Sequence, residues 1–336
     1  GFFPRMHSND PEHIKSYKNR VALKGRKVPV QDEEGKLTNI TVPTFQENVS
    51  FFLKYQLGFM YLRYLMWNFA GRQNDIQGTG DLLNGNWQSG FALIDKHIAG
   101  PQQNLPSVVK ENKGRNFYYF LPFLIGILGM FFQYRNDRQN FLTTGLLFFM
   151  MSFALVIYLN EIPNTPRERD YVYVGSFYVF CIWIGYGVLS VFNGFQKLVK
   201  ERHAEIAALA ICLTASPILL LSQNYGDHDR SGRYSARDLA RNYLESCEKD
   251  AILFTHADND TYPLWYCQEV EGIRRDVRVV VMPYLQAEWY IQQLGRRIYQ
   301  NEALKMTIPL EKYQSGQIDY VYVVPKIESE QPMPDV

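Results

Sequence analysis

Apolar and polar positions divide this chain into three parts. Residues 117–222 hold four apolar runs, at 117–134, 141–159, 171–192 and 204–222, separated by short polar loops. At about 1.5 Å rise per residue each run covers a hydrocarbon core of roughly 30 Å, so the pattern predicts four transmembrane helices. Residues 50–69 are also apolar, yet they contain Lys54 and Arg63. A charge at the bilayer centre costs about 2.5–3.5 kcal/mol on insertion scales. Lying in the interface, the same segment places its Tyr and Trp rings well and lets its cations snorkel to water. We therefore read 51–69 as an interfacial amphipathic helix.

The flanks carry different periods. Residues 27–31 and 37–42 bracket the turn residues Asp32-Glu33-Glu34-Gly35 and predict a hairpin. Gly78, Gly80, Gly85 and Gly90 follow a helix rather than a strand, which makes them loop residues and not a dinucleotide site. After residue 222 helix and strand alternate: helix 235–246, a buried strand 251–255, helix 261–271, strand 277–282, helix 285–299. This βαβ order predicts a small parallel sheet whose ligand edge, at the strand carboxyl ends, is 256–260.

The expected fold class is thus an α-helical integral membrane protein with four spans and a small external α/β domain. Its parts are an external loop region with the hairpin (1–50), the interfacial helix (51–69), an external loop (70–116), the four spans (117–222) and the α/β domain (223–336). Basic residues crowd the loops at 135–140 and 193–203, which the positive-inside rule assigns to the cytoplasmic side. Residues 161–170 and both long flanks then face away from the cytosol. In a bacterium this is the periplasmic side of the inner membrane.

Composition alone points elsewhere: a mean hydropathy of −0.24 and a net charge of +1 describe an ordinary soluble protein. The average conceals the division of the chain. The balanced charge gives no sign of nucleic-acid binding. Four cysteines are too few for a disulfide framework; Cys181 and Cys212 lie in apolar runs, and Cys247 and Cys267 could pair outside the cytosol, although nothing in the predicted elements brings them together. The chain starts Gly1-Phe2-Phe3-Pro4 without a signal-peptide pattern, and it reads as an internal piece of a longer membrane protein.

Three places could carry chemistry. In Pro163-Asn164-Thr165-Pro166-Arg167-Glu168-Arg169-Asp170, two arginines stand at the mouth of a span. Arginine suits a lipid phosphate because its planar fork donates paired hydrogen bonds and keeps its charge when desolvated. A solvated set of ion pairs with Glu168 and Asp170 is the plainer reading. Trp67, Arg72, Asn74 and Asp75 offer an aromatic face and polar ends at a membrane surface, as a sugar or acceptor site requires; a helix end plus loop explains them equally. Asp258 and Asp260 either hold a divalent cation or cap the following helix, and the cap through Asp260 is the better fit. His7, His13, His228 and His256 lack zinc spacing and read as surface residues, as Arg63 reads as a snorkelling cation. No metal site and no certain cofactor follows from these residues.

Four separated runs, in order, resemble the glycosyltransferase family 117 membrane proteins, common in Bacteroidota and related to a eukaryotic protein O-mannosyltransferase. They are Phe3-Pro4-Arg5-Met6, residues 60–75 (MYLRYLMWNFAGRQND), residues 166–177 (PRERDYVYVGSF) and residues 258–266 (DNDTYPLWY). The resemblance implies a GT-C-class enzyme that moves a sugar, mannose above all, from a polyprenyl-phosphate donor to protein Ser/Thr on the non-cytosolic side. It implies Arg167 and Arg169 as donor-phosphate ligands, and a general base upstream of these residues, so that this piece alone is expected to be inactive. A lipid transporter, or a non-catalytic scaffold whose external domain binds glycans or peptides, are the competing classes. The near absence of ionisable residues within the spans weighs against an ion path.

Overall fold

The computed structural model describes residues 5–8, 10–31, 37–163, 170–299 and 301–314. The chain forms two compact units, 1–229 and 230–336.

The first unit opens with α1 (Pro11–Arg20), whose N-terminus Asp10 caps by accepting from the Glu12 N–H at 2.8 Å. The expected hairpin follows, β1 (Arg26–Gln31) antiparallel to β2 (Leu37–Val42), with Val28 opposite Ile40. One carboxylate ties its base to the next helix. Glu47 accepts from the backbone N–H groups of Gly25 (2.9 Å), Thr44 (2.7 Å) and Lys24 (2.6 Å), and Thr44 caps Glu47 in return. These bonds, the one from Gly25 foremost, hold the Glu47 carboxyl down to about 2.

That helix runs unbroken as α2 (Phe45–Phe51), a π-helical stretch Phe52–Leu62 and α3 (Arg63–Phe69). Its first part buries Phe51 and Tyr55 against Tyr17. Further along, Tyr61 and Tyr64 pack on Val156 and Tyr173, and Leu65 and Phe69 on Phe180 and Trp183. Arg63 does not snorkel. It is 7% exposed and donates through Nε to the Phe59 carbonyl (2.9 Å) and through Nη1 to the Gly85 carbonyl, because the following loop folds over it and its carbonyls take the place of water.

The loop contains β3 (Gly71–Arg72), α4 (Ala92–Ile98), α5 (Ser107–Lys110) and β4 (Asn116–Phe117), which pairs antiparallel with β3. This pairing shortens the first apolar run. Phe117 belongs to β4, Tyr119 and Phe120 turn the chain with positive φ (52° and 58°), and α6 occupies only Leu121–Asn136, 16 residues. Then come α7 (Arg138–Phe149) and α8 (Leu155–Leu159), joined by a π turn; α9 (Asp170–Phe195); and α10 (Glu201–Leu213) and α11 (Leu219–His228), joined by a π turn around Pro217. Among the described residues, three helices are long and apolar enough to cross a membrane: Arg138–Leu159, Tyr171–Phe195 and Glu201–His228, of 22, 25 and 28 residues. The fourth expected span, α6, falls short of that length.

α6 packs closely along α9 because glycines line the contact. A Cβ on Gly129 would collide with the Trp183 carbonyl oxygen, and one on Gly187 with that of Ile125. Small residues at such a contact let two backbones approach, which supplies packing where lipid offers no hydrophobic drive. The indole of Trp183 donates to Gln133 Oε1 at 2.8 Å, so this buried amide is met from across the seam.

The second unit begins with α12 (Ser235–Ser246), at the expected bounds, followed by β5 (Ile252–Thr255), α13 (Asp258–Glu269) and β6 (Arg278–Val281). The two strands are parallel, Ile252 opposite Arg278, as the βαβ order requires. Three details depart from expectation. β5 is not a buried strand: Ile252 and Phe254 are 48% and 59% exposed, since its outer face has no layer over it among the described residues. α13 starts three residues early and takes Ala257 as its N-cap without a side-chain bond, so Asp260 sits in the first turn and is not the cap. The last helix is broken into a 3-10 turn, Met282–Gln286, where Pro283 lies in the opening positions, and α14 (Glu288–Leu294). The core joins Leu244 of α12, Leu264 and Cys267 of α13, and Val277 and Val279 around β6. All four cysteines are free.

Candidate functional site

The polar loop of the first unit meets the helix bundle where α3 ends, α6 begins and α11 ends. Arg72 is the centre of that junction. β3 presents it beside β4, and its guanidinium lies over the Trp67 ring at 4.7 Å. Each of its three nitrogens finds an acceptor: Nε gives to the Tyr118 hydroxyl (3.2 Å), Nη1 pairs with Asp227 Oδ2 (3.2 Å) and Nη2 faces the Asn116 amide oxygen (3.2 Å) in the orientation that also lets its nitrogen donate to the Gln223 carbonyl. Tyr118 in turn donates to Asn224 Oδ1 at 2.8 Å. The arginine and its aspartate are nearly closed to solvent, their side chains 10% and 9% exposed. In such a setting a buried ion pair fixes geometry, and removing one partner is costly.

Gly71 is required for this approach. Its φ is 132°, and a Cβ there would strike the carbonyls of Gln88 and Asn116. Amides brace the rest of the loop. Asn74 accepts from the Gly85 N–H (2.9 Å) and donates to Asn84 Oδ1 (3.0 Å), and Asn86 donates to Gln73 Oε1 (3.0 Å). Asp95 accepts from the N–H groups of Ser89 (2.7 Å) and Gly90 (2.8 Å). Trp67 donates to the Asn74 carbonyl at 3.3 Å.

Of the four residues expected to contact sugar or acceptor, the fold thus brings Trp67, Arg72 and Asn74 together and leaves Asp75 exposed outside the cluster. The polar atoms of Arg72 and Asn74 are engaged inside the protein. Trp67, half-buried, and Asp75 keep surface toward solvent. Asp227, Asn224 and Tyr118 are the partners that sequence reasoning missed. A signal existed: Asn224 and Asp227 stand three apart in the polar last turns of a helix, hence on one face of it.

Arg167 and Arg169, expected to hold a donor phosphate, lie outside the described residues. The entry to their loop is described and firmly held. Asn160, at positive φ (43°), accepts at Oδ1 from the Arg5 N–H (3.1 Å) and from Gln56 Nε2 (3.0 Å), and the same Gln56 nitrogen reaches the Glu161 carbonyl (2.9 Å). In the second unit, Asp258 and Asp260 occupy the exposed first turn of α13, and among the described residues no group of three His, Cys, Asp or Glu side chains is placed to hold a metal. His228 is exposed and contacts Asp227 at 3.6 Å.

Comparison with known proteins gives two partial family matches. Residues 236–335 match the family described as TMEM260-associated domain 2, and residues 1–53 match one described as Family of unknown function (DUF8416). Among curated proteins, the chain is similar to the Protein O-mannosyl-transferase tmem260 of Dictyostelium discoideum, at 23% identity over 187 residues. That alignment covers 50% of this chain and 23% of the relative, so the chain spans about a quarter of the relative's length. No solved structure matches.

Proposed function

We propose that this chain is part of a membrane glycosyltransferase that moves a sugar, mannose first among candidates, from a polyprenyl-phosphate donor to protein Ser/Thr on the non-cytosolic side. The observation that carries the reading is the similarity to a protein O-mannosyltransferase, to which the match of residues 236–335 adds support. Three helices of membrane-crossing length fit a lipid-linked donor.

The chemistry is displacement at the anomeric carbon. A carboxylate removes the acceptor hydroxyl proton, and cations stabilise the phosphate as it leaves. Arg167 and Arg169 are the proposed cations, carried on a loop whose entry Gln56 and Asn160 hold in place. Trp67 and Asp75 are the proposed sugar or acceptor contacts. Arg72 and Asn74 act as positioning residues that shape the surface on which the other two stand. The general base is assigned to no described residue.

The test is glycan transfer from polyprenyl-phosphate mannose to protein in membranes holding the complete protein. Arg167→Ala and Arg169→Ala should each lower transfer by about 10²–10³, the usual cost of losing one group that stabilises developing charge, with membrane insertion intact. Full transfer in both variants would remove the phosphate role. Absence of transfer from every tested donor by the unaltered protein would favour the scaffold.

A further inference from the structure

The second unit contains a cavity of about 280 Å³ at the amino end of β6, away from the strand carboxyl ends where the βαβ rule locates ligands. Trp265, Tyr290 and Leu294 give it apolar walls, and Arg278 lines it from the first position of β6. Arg278 is 5% exposed. Its Nη2 donates to the carbonyls of Gln293 (3.2 Å), Leu294 (3.2 Å) and Arg296 (3.3 Å) at and just past the end of α14, the first two of which also accept a backbone N–H. Its Nη1 is buried and has no hydrogen-bond acceptor among the described residues. No carboxylate within bonding distance neutralises it among the described residues. Burial pulls the guanidinium below its ordinary value.

The other charges at the cavity are already engaged. Arg275 stacks over the Tyr299 ring at 4.8 Å and donates to the Gln268 carbonyl at 2.8 Å, while the Glu269 carboxylate accepts from the Tyr299 hydroxyl. A cation that is desolvated, held rigidly by three carbonyls and still short of one acceptor among the described residues favours an incoming anion. A planar carboxylate matches the guanidinium fork. Aromatic walls suit a flat or pyranose body, whose C–H face packs on a ring.

We propose that this cavity binds a carboxylate of about monosaccharide size, its anionic group taken by Arg278 and its body by the wall of Trp265 and Tyr290. The proposal is independent of the transferase reading, since it concerns a different unit and needs no donor.

Calorimetric titration of the full chain in detergent tests it with four probes: methyl glucuronoside, benzoate and their neutral counterparts methyl glucoside and benzamide. At least one acid should bind about tenfold or more tightly than its neutral counterpart, with the sugar and aromatic arms distinguishing the two bodies. Arg278→Gln should abolish that preference. If this variant misfolds, the unaltered protein still decides: neutral probes binding as well as acids, or neither acid binding up to ~10 mM, would overturn the proposal.

Discussion

Two of the buried arginines, Arg72 in the first unit and Arg278 in the second, are held in opposite ways. Arg72 has an acceptor for every nitrogen and a carboxylate, Asp227, to balance its charge. Arg278 meets only backbone carbonyls and keeps one nitrogen without an acceptor among the described residues. Similar burial therefore serves different ends. A cation neutralised from within knits remote segments, here β3, β4 and the end of α11, and has little left for a ligand. A cation fixed by dipoles alone is positioned yet electrostatically unsatisfied, which is the state a binding site needs before its ligand arrives.

The strongest way to break this comparison is Arg72→Ala. It removes the cation facing a buried Asp227 and should cost about 3–5 kcal/mol, read as a large drop in the thermal midpoint of the detergent-solubilised protein. The double change Arg72→Met with Asp227→Leu should recover most of the loss, because apolar side chains of similar size replace both charges. A double variant as unstable as the single one would show that Arg72 acts through packing and not through charge.

Arg278→Met should be milder, about 1–3 kcal/mol, since the acceptors it abandons are neutral carbonyls and no carboxylate is stranded. Hydrogen exchange should quicken around α14 and β6 and stay unchanged around α12. A cost as large as that of Arg72→Ala would mean that the two arginines are structural alike.

Glu47 sharpens the contrast from the acid side, as a carboxylate held by neutral donors. Its folded value of about 2 lies below the ordinary 4.5, so its contribution is present above about pH 4.5 and is lost as pH falls toward 2. Glu47→Gln should cost about 1–2 kcal/mol near neutral pH and flatten that part of the acid-unfolding curve. Thr44→Ala, which removes the reciprocal cap and a hydroxyl that donates to the carboxylate at 2.8 Å, should cost about 1 kcal/mol above about pH 4.5 and less as Glu47 is protonated. An unchanged acid limb in Glu47→Gln would assign the acid sensitivity to other carboxylates.

Much of this architecture was written in local patterns. The turn residues 32–35 between 27–31 and 37–42 foretold the hairpin, and the helix 235–246 and the parallel pairing of β5 with β6 followed from periodicity and element order. The residues expected to contact sugar or acceptor were only partly legible as a group. Trp67, Arg72 and Asn74 are close in sequence and do meet, but whether their polar atoms face outward depended on Asp227 and Tyr118, 155 and 46 positions from Arg72. The fate of Arg63 was illegible for the same reason, because its acceptor belongs to a loop that folds back over it.

What the sequence determined by itself was which segments form helices and strands and where the apolar runs lie: runs of apolar side chains and two- or 3.6-residue periods need no knowledge of neighbours. Tertiary structure alone decided where the first apolar run gives way to β4, which arginine is neutralised and which is left open, and that the cavity of the second unit lies at the amino end of its sheet. Those outcomes depend on which donors and acceptors distant segments bring within about 3 Å of each other, and hydrogen bonding at that range carries no periodic trace along the chain.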